Sequence, residues 1–358
     1  VGAVIGITAS VLQRLGNPPN IGLCVTCFLR DIAGAIGLHR FPVGQYFRPE
    51  IPAMVLGALA SAVLFGGFKP RRGSAPLIRC VLGFFPRIGT MVSLGCTWRI
   101  FVRLGGGDGT AFVGLAGLAV GVGIGEMLIK SGFDLGPPRP APVLAGLIPA
   151  AAMALLLGLG IAGVTVKEGQ ALFFSTKGPG AMAAPIAASV AFGLLIGLLG
   201  HRSGFCTIGG FRQLARGRLS PMLGALVAFV AGAAICNLIL GQFHPAFRLG
   251  PFSHTVHLWN FLPMVLAGLA FCLAGGCPGR QLFLCGEGNA DAGVFVAGMV
   301  VGAGLTHNWN LAGAPDKLVA GVFQAGGPDL PGKAVVIAGL AFCVVAGLAC
   351  RRKARSDG

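Results

Sequence analysis

The chain is short of charge. Only 11% of its 358 residues are Asp, Glu, Lys or Arg, and only 11 of them are acidic. Soluble proteins carry about 25% charged residues. Too few polar side chains remain here to cover a surface facing water, which excludes an ordinary soluble domain. Tyrosine occurs once, and no basic run is interleaved with aromatics. A nucleic-acid partner is therefore not expected, despite a formal net charge of +16. The glycine-rich GxG segments follow no strand pattern, so phosphate-loop readings fail and no ATP motif or cofactor is expected. The opening VGAVIGITASVL has no charged n-region and no clear cleavage site, so no signal peptide is expected. The 11 cysteines are odd in number and mostly lie in or beside apolar runs, unlike a secreted disulfide framework. Cys24 and Cys27 form a lone CxxC without two further ligands, so no metal is expected either.

What is present is apolar. Hydrophobic residues make up 54% of the chain, mean hydropathy is +0.82, and there are 61 glycines. This is the composition of an all-α integral membrane protein, in which small residues let helices approach closely. The basic residues fall mostly between apolar runs, where positive-inside bias and lipid headgroups account for them. Residual positive potential also favours anions.

The pattern repeats. Gly95-Cys96-Thr97-Trp98-Arg99 matches Gly276-Cys277-Pro278-Gly279-Arg280 at an offset of 181, and Gly105, Gly107, Gly117 and Gly121 fall on Gly286, Gly288, Gly298 and Gly302. Upstream, Gly22, Cys24 and Arg30 match Gly204, Cys206 and Arg212 at an offset of 182. Two motif pairs at nearly one offset divide the chain into homologous halves, 1–176 and 177–358.

Each half carries five apolar segments. The first half has a short run at 1–13 and spans at 51–68, 76–95, 110–129 and 142–166, with a further stretch at 22–37 that is mixed and too short to span. The second has 184–199, 221–240, 258–274, 290–305 and 334–349. An odd number of crossings inserts the second half upside down, giving two inverted repeats with about 9–10 transmembrane helices in all. The polar stretch 167–180 is the expected boundary, and 317–332 is expected to be loop. With both termini cytoplasmic, 69–79, 201–218 and the basic tail 351–355 lie inside, while 14–50 lies outside with four arginines of its own. Gly275–Asn289, reading GGCPGRQLFLCGEGN, interrupts an apolar run. Irregular backbone at membrane depth is tolerated only where protein buries it or a wet cavity adjoins it.

Cys24, Cys96, Cys206 and Cys277 share a flanking glycine, a following arginine and a matched place in each half, which marks them as substrate-binding candidates. Cys80, Cys236, Cys272, Cys343 and Cys350 have no such company and read as packing residues. Arg30, Arg99, Arg212 and Arg280 are the matching arginines. They either snorkel from the ends of half-helices or hold an anion, and scarce acidic partners favour the second. The GxG segments read as tight turns into the next helix. A neutral thiol donates a weak hydrogen bond to a soft sulfur or selenium atom. Weak successive contacts let a substrate enter and leave. A thiolate would repel an anion, so such a relay needs protonated thiols.

The stretches GLCVTCFLRDIAGAIGLHR, LGCTWRIFVRLGGGDG, SGFCTIGGFRQ and GGCPGRQLFLCGEGNADAGVFVAGMVVGAG resemble the YeeE/YedE family of bacterial membrane proteins with sulfur-transport repeats, and the YedE branch of selenium-metabolism membrane proteins most closely. The resemblance covers nearly the whole chain. It implies an all-helical pseudo-twofold fold with short re-entrant helices in the bacterial inner membrane. It also implies passage of a small anion, thiosulfate or a selenium species, past Cys24, Cys96 and Cys277, with Cys206 as a fourth thiol. One departure is GCTWR at 95–99, where the family pattern suggests a GCPxR sequence; the bulky Trp98 is expected to narrow the access on its side. The expected function is a membrane transporter or channel rather than an enzyme. The runner-up is a membrane thiol oxidoreductase using Cys24 and Cys27 with a quinone. A third reading has the protein hand sulfur or selenium to a cytoplasmic partner.

Overall fold

The computed structural model describes residues 1–163 and 172–351. Residues 167–171 of the expected boundary segment and the tail beyond Arg351 lie outside the described residues.

The described chain is helical, with fourteen helices and two small two-stranded pairings. Before residue 164 the order is α1 (Gly2–Arg14), α2 (Val25–Ala35), α3 (Glu50–Leu64), α4 (Pro76–Val92), α5 (Thr97–Gly105), α6 (Ala111–Lys130) and α7 (Val143–Ile161). After it come α8 (Ile186–Ser203), α9 (Thr207–Ala215), α10 (Pro221–Ile239), α11 (Leu258–Leu273), α12 (Pro278–Gly286), α13 (Ala290–Asn308) and α14 (Leu330–Ala349). The second and fifth helix of each seven are short and begin directly after a repeated cysteine.

Among the described residues, eight helices or joined helix pairs are long and apolar enough to cross a membrane. The expectation was 9–10. The shortfall lies in α1 and α3. Gly66 and Gly67 follow α3 closely, and its 15 residues reach only about 22 Å at 1.5 Å per residue, against a hydrocarbon core of about 30 Å. The stretch 317–332 holds a hairpin of β1 (Lys317–Val319) and β2 (Val322–Gln324) rather than plain loop.

The long helices pair across the chain: α1 lies along α10, α8 along α3, α6 along α11 and α13 along α4. Glycine makes these approaches possible. A Cβ on Gly121 would stand 2.1 Å from the Val265 carbonyl oxygen, and one on Gly298 would stand 2.1 Å from that of Cys80. The GxxxG spacings are thus contact faces. α4 and α11 run antiparallel. Arg79 near the start of α4 donates to the Ala274 carbonyl at the end of α11, at 3.2 Å. His254, just ahead of α11, lies 3.0 Å from the Val92 carbonyl at the end of α4.

The loops also sort by position. Lys69 N–H donates to the Glu287 carbonyl, Arg71 pairs with Pro140, and Phe133 bridges to Arg351. This gathers the basic segments 69–79 and 130–140 beside the start of the C-terminal tail. Of the four arginines in 14–50, Arg30 and Arg48 are both bound to Asp31.

Candidate functional site

The four repeated cysteines occupy one structural position, used four times. Each is the N-cap of a short helix. Cys24 caps α2, Cys96 caps α5, Cys206 caps α9 and Cys277 caps α12. Each sulfur accepts the N–H of the residue three further on, at 3.2 Å from Cys27, 3.3 Å from Arg99, 3.4 Å from Gly209 and 3.4 Å from Arg280. Serine, threonine or aspartate is the usual choice for this role. A thiol here satisfies one backbone donor weakly and keeps a soft atom at the positive end of a helix dipole.

The chain reaches each cap through a left-handed residue two positions earlier. Gly22, Gly204 and Gly275 fill three of these places, and Leu94 fills the fourth with φ 50°. A leucine there costs about 1–2 kcal/mol of backbone strain. Arg99 holds it, because its guanidinium donates to the Leu94 carbonyl, to Asn20 O at 2.9 Å and to Phe252 O at 2.8 Å.

The caps meet in pairs. Cys24 Sγ lies 3.3 Å from Cys96 Sγ. In the other half, Cys277 N–H donates to Cys206 Sγ at 3.3 Å. Cys24, Cys96 and Cys277 are wholly buried, and Cys206 is 8% exposed. Cys27 adjoins the first pair through its backbone N–H, which donates to Cys24 Sγ.

Between the pairs stands Trp98. Its indole is fully buried against Phe205, Phe229 and Phe283. A Cβ on Gly279 would stand 2.4 Å from Trp98 Cζ2. Residues 98 and 279 are equivalent by the 181 offset. The large residue of one half therefore occupies the room left by the missing side chain of the other. Trp98 thus fills the space beside Gly279. Its Nε1 and the neighbouring Thr97 Oγ1 are buried without hydrogen-bond partners.

The repeated arginines are tied, against the expectation of unpaired charge. Arg30 pairs with Asp31 at 2.6 Å, Arg212 with Glu126 at 2.9 Å and Arg280 with Glu287 at 2.8 Å, while Arg99 serves carbonyls. Few acidic residues exist, but they stand where the arginines are. The GxG segments are turns: Gly107 and Gly288 adopt φ 92° and 87° as α5 and α12 give way to α6 and α13.

Sequence reasoning passed over Arg87. It lies wholly buried in α4, and its Nε and Nη2 have no hydrogen-bond partner. The available signal was one charge deep in an apolar run, with glycine (Gly268) at its repeat-equivalent position. Two cavities stand out. One, about 610 Å³, is an apolar groove between α7 and α13. The other, about 400 Å³, has Arg30, Met91, Leu94 and His307 among its lining residues and so reaches the first thiol pair's side of the molecule.

Residues 202–357 match the Sulphur transport family. The matched segment holds Cys206, Cys277, Arg212 and Arg280, and runs from α9 through α14. Together with the eight long apolar helices, it supports a multi-pass membrane protein that transports a sulfur compound. The match is to a transport family, in line with a protein that is not an enzyme. No curated protein matches the chain.

Proposed function

We propose that the protein passes a small sulfur- or selenium-containing anion, thiosulfate or a selenium species, across the bacterial inner membrane along the thiols of Cys24, Cys96, Cys206 and Cys277. One observation carries this reading. Four buried cysteines cap four short helices and meet in two pairs, which brings soft donors together with the positive ends of helix dipoles. Such a site holds an anion by partial charge while each S–H contact stays weak enough to release it. Arg30, Arg99, Arg212 and Arg280 then act through position, by fixing the short helices and setting the local potential. The arrangement is read as two inverted repeats, 1–176 and 177–358, and the antiparallel course of α4 and α11 supports it. A cytoplasmic sulfur- or selenium-handling protein would receive the cargo.

The test is uptake of labelled thiosulfate and, separately, of selenite by cells lacking their own importers. Cells making the wild-type chain are expected to take up at least one of them, and cells making Cys277→Ala neither. Uptake that survives Cys277→Ala in a properly inserted protein sinks the thiol relay.

The oxidoreductase reading keeps one supporting observation, the contact of the Cys24 and Cys96 sulfurs at 3.3 Å. The geometry changes its expected pair. The short sulfur–sulfur contact joins Cys24 to Cys96, so oxidation would link those two. Trapping of free thiols before and after an oxidant, read by peptide mass, decides between Cys24–Cys27, Cys24–Cys96 and no disulfide.

A further inference from the structure

Arg87 breaks the economy of charge around it. Near the first thiol pair stand Arg30, Arg87 and Arg99, and among the described residues the carboxylate bound to any of them is that of Asp31, which Arg30 shares with Arg48. Arg48 completes its bonds on the Met182 and Pro179 carbonyls, and Arg99 does so on three others. Among the described residues the Arg87 guanidinium makes one hydrogen bond, Nη1 to Thr90 Oγ1 at 3.3 Å. Its stem crosses Gly302, where a Cβ would stand 3.2 Å from it. The guanidinium acts electrostatically on Cys24, Cys27, Cys96 and Arg30. A buried charge left without a partner is strongly unfavourable, so such a residue in a membrane span is held by a function or by a counter-ion.

Arg87 does not itself line the 400 Å³ cavity. Met91, one turn further along α4, lines that cavity, as do Arg30 and His307. His307 feels the charges of Arg30 and Arg87, stacks on Phe41 at 4.2 Å, and leaves Nε2 buried without a partner. The repeat-equivalent position in α11 is Gly268, so the second half has no counterpart.

We infer that Arg30 and His307 in the wall of this cavity, backed by the buried charge of Arg87, form an oxyanion-binding site. The site takes the oxygen-bearing end of a sulfur or selenium oxyanion. A substrate such as thiosulfate then presents its hard end to the guanidiniums and its soft sulfur to the thiols. This rests on the transport reading above and narrows it. Species with no oxyanion group, such as hydrogen sulfide or a neutral thiol, are excluded as preferred cargo.

The test is equilibrium binding to the full chain in lipid nanodiscs, read as the rise in melting temperature on titration with thiosulfate, selenite and chloride. Wild-type protein is expected to be stabilised by thiosulfate or selenite and not by chloride at equal ionic strength. Arg87→Met, which keeps the volume and removes the charge, is expected to bind about tenfold to a hundredfold more weakly, the range for losing hydrogen bonds to a charged group. It should melt no lower than wild type without anion, since an unpaired charge has gone. Arg87→Lys is expected to restore part of the response. Cys343→Ala, at a packing residue within α14, is expected to bind like wild type. Undiminished binding by Arg87→Met overturns the site and leaves the thiol relay standing. Equal protection by chloride also overturns it, making Arg87 a holder of a structural counter-ion. A wild-type chain that binds neither oxyanion overturns it as well.

Discussion

The two halves of the site do the same thing in two ways. In the second half the left-handed residue is Gly275, the residue two after the cysteine is Gly279, and α11 carries Gly268. In the first half the same places hold Leu94, Trp98 and Arg87. One half is built from missing side chains and the other from large ones. What the halves share is the thiol cap at the head of a short helix. Where they differ, the first half adds bulk at the centre and charge at one side. The repeat thus supplies the common chemistry, and the departures from it give the molecule two distinct ends.

The comparison breaks most visibly at the caps. Cys24→Ala, and equally Cys277→Ala, is expected to reduce uptake to the level of cells without the protein while leaving membrane insertion intact. Uptake of labelled thiosulfate with an immunoblot of the membrane fraction checks it. A large effect in one half only would show that the two pairs are not equivalent stations.

Arg99 comes next. Arg99→Met frees three buried carbonyls and the strained Leu94 turn, and is expected to destabilise the protein by on the order of 3 kcal/mol. Chemical unfolding in detergent checks this. Leu94→Gly is expected to recover part of the loss by removing the left-handed leucine.

Gly279→Ala tests the fit between the halves. Its methyl group enters the Trp98 indole, with an expected cost of about 1–3 kcal/mol. In a Trp98→Leu background the same change is expected to cost far less. A double-mutant cycle showing no coupling contradicts the packing described here.

The smallest effect is expected at Arg216, which pairs with Glu126 at 2.6 Å but is 36% exposed at the side chain. Arg216→Ala should cost about 0–1 kcal/mol, as exposed ion pairs do, measured in the same unfolding experiment.

Much of this was legible in the residues. The breaks at Cys96 and Cys277 show because small and polar residues interrupt apolar runs, and the offset of 181 ties them together. Helices α4, α6, α10, α11 and α13 follow their apolar stretches closely. The arginine partners were not legible. Glu126 lies 86 residues from Arg212, and only folding brings α6 beside α9. The central place of Trp98 was hidden for the same reason, since its bulk has meaning only against Gly279. α3 stops early because Gly66 and Gly67 end the helix before its apolar run does, and the hairpin at 317–324, KLVAGVFQ, is too short and lacks an alternating pattern.

The most direct test of the account sets the four cap cysteines against others in one experiment. Purified protein in liposomes would be assayed for labelled thiosulfate and selenite uptake as wild type, as single alanine variants at Cys24, Cys96, Cys206 and Cys277, and as Cys236→Ala and Cys343→Ala. The account predicts loss at all four caps and near wild-type uptake for the other two, because Cys236 and Cys343 lie within α10 and α14, away from any cap. Wild-type transport that persists in the cap variants, or falls equally in all six, would contradict it.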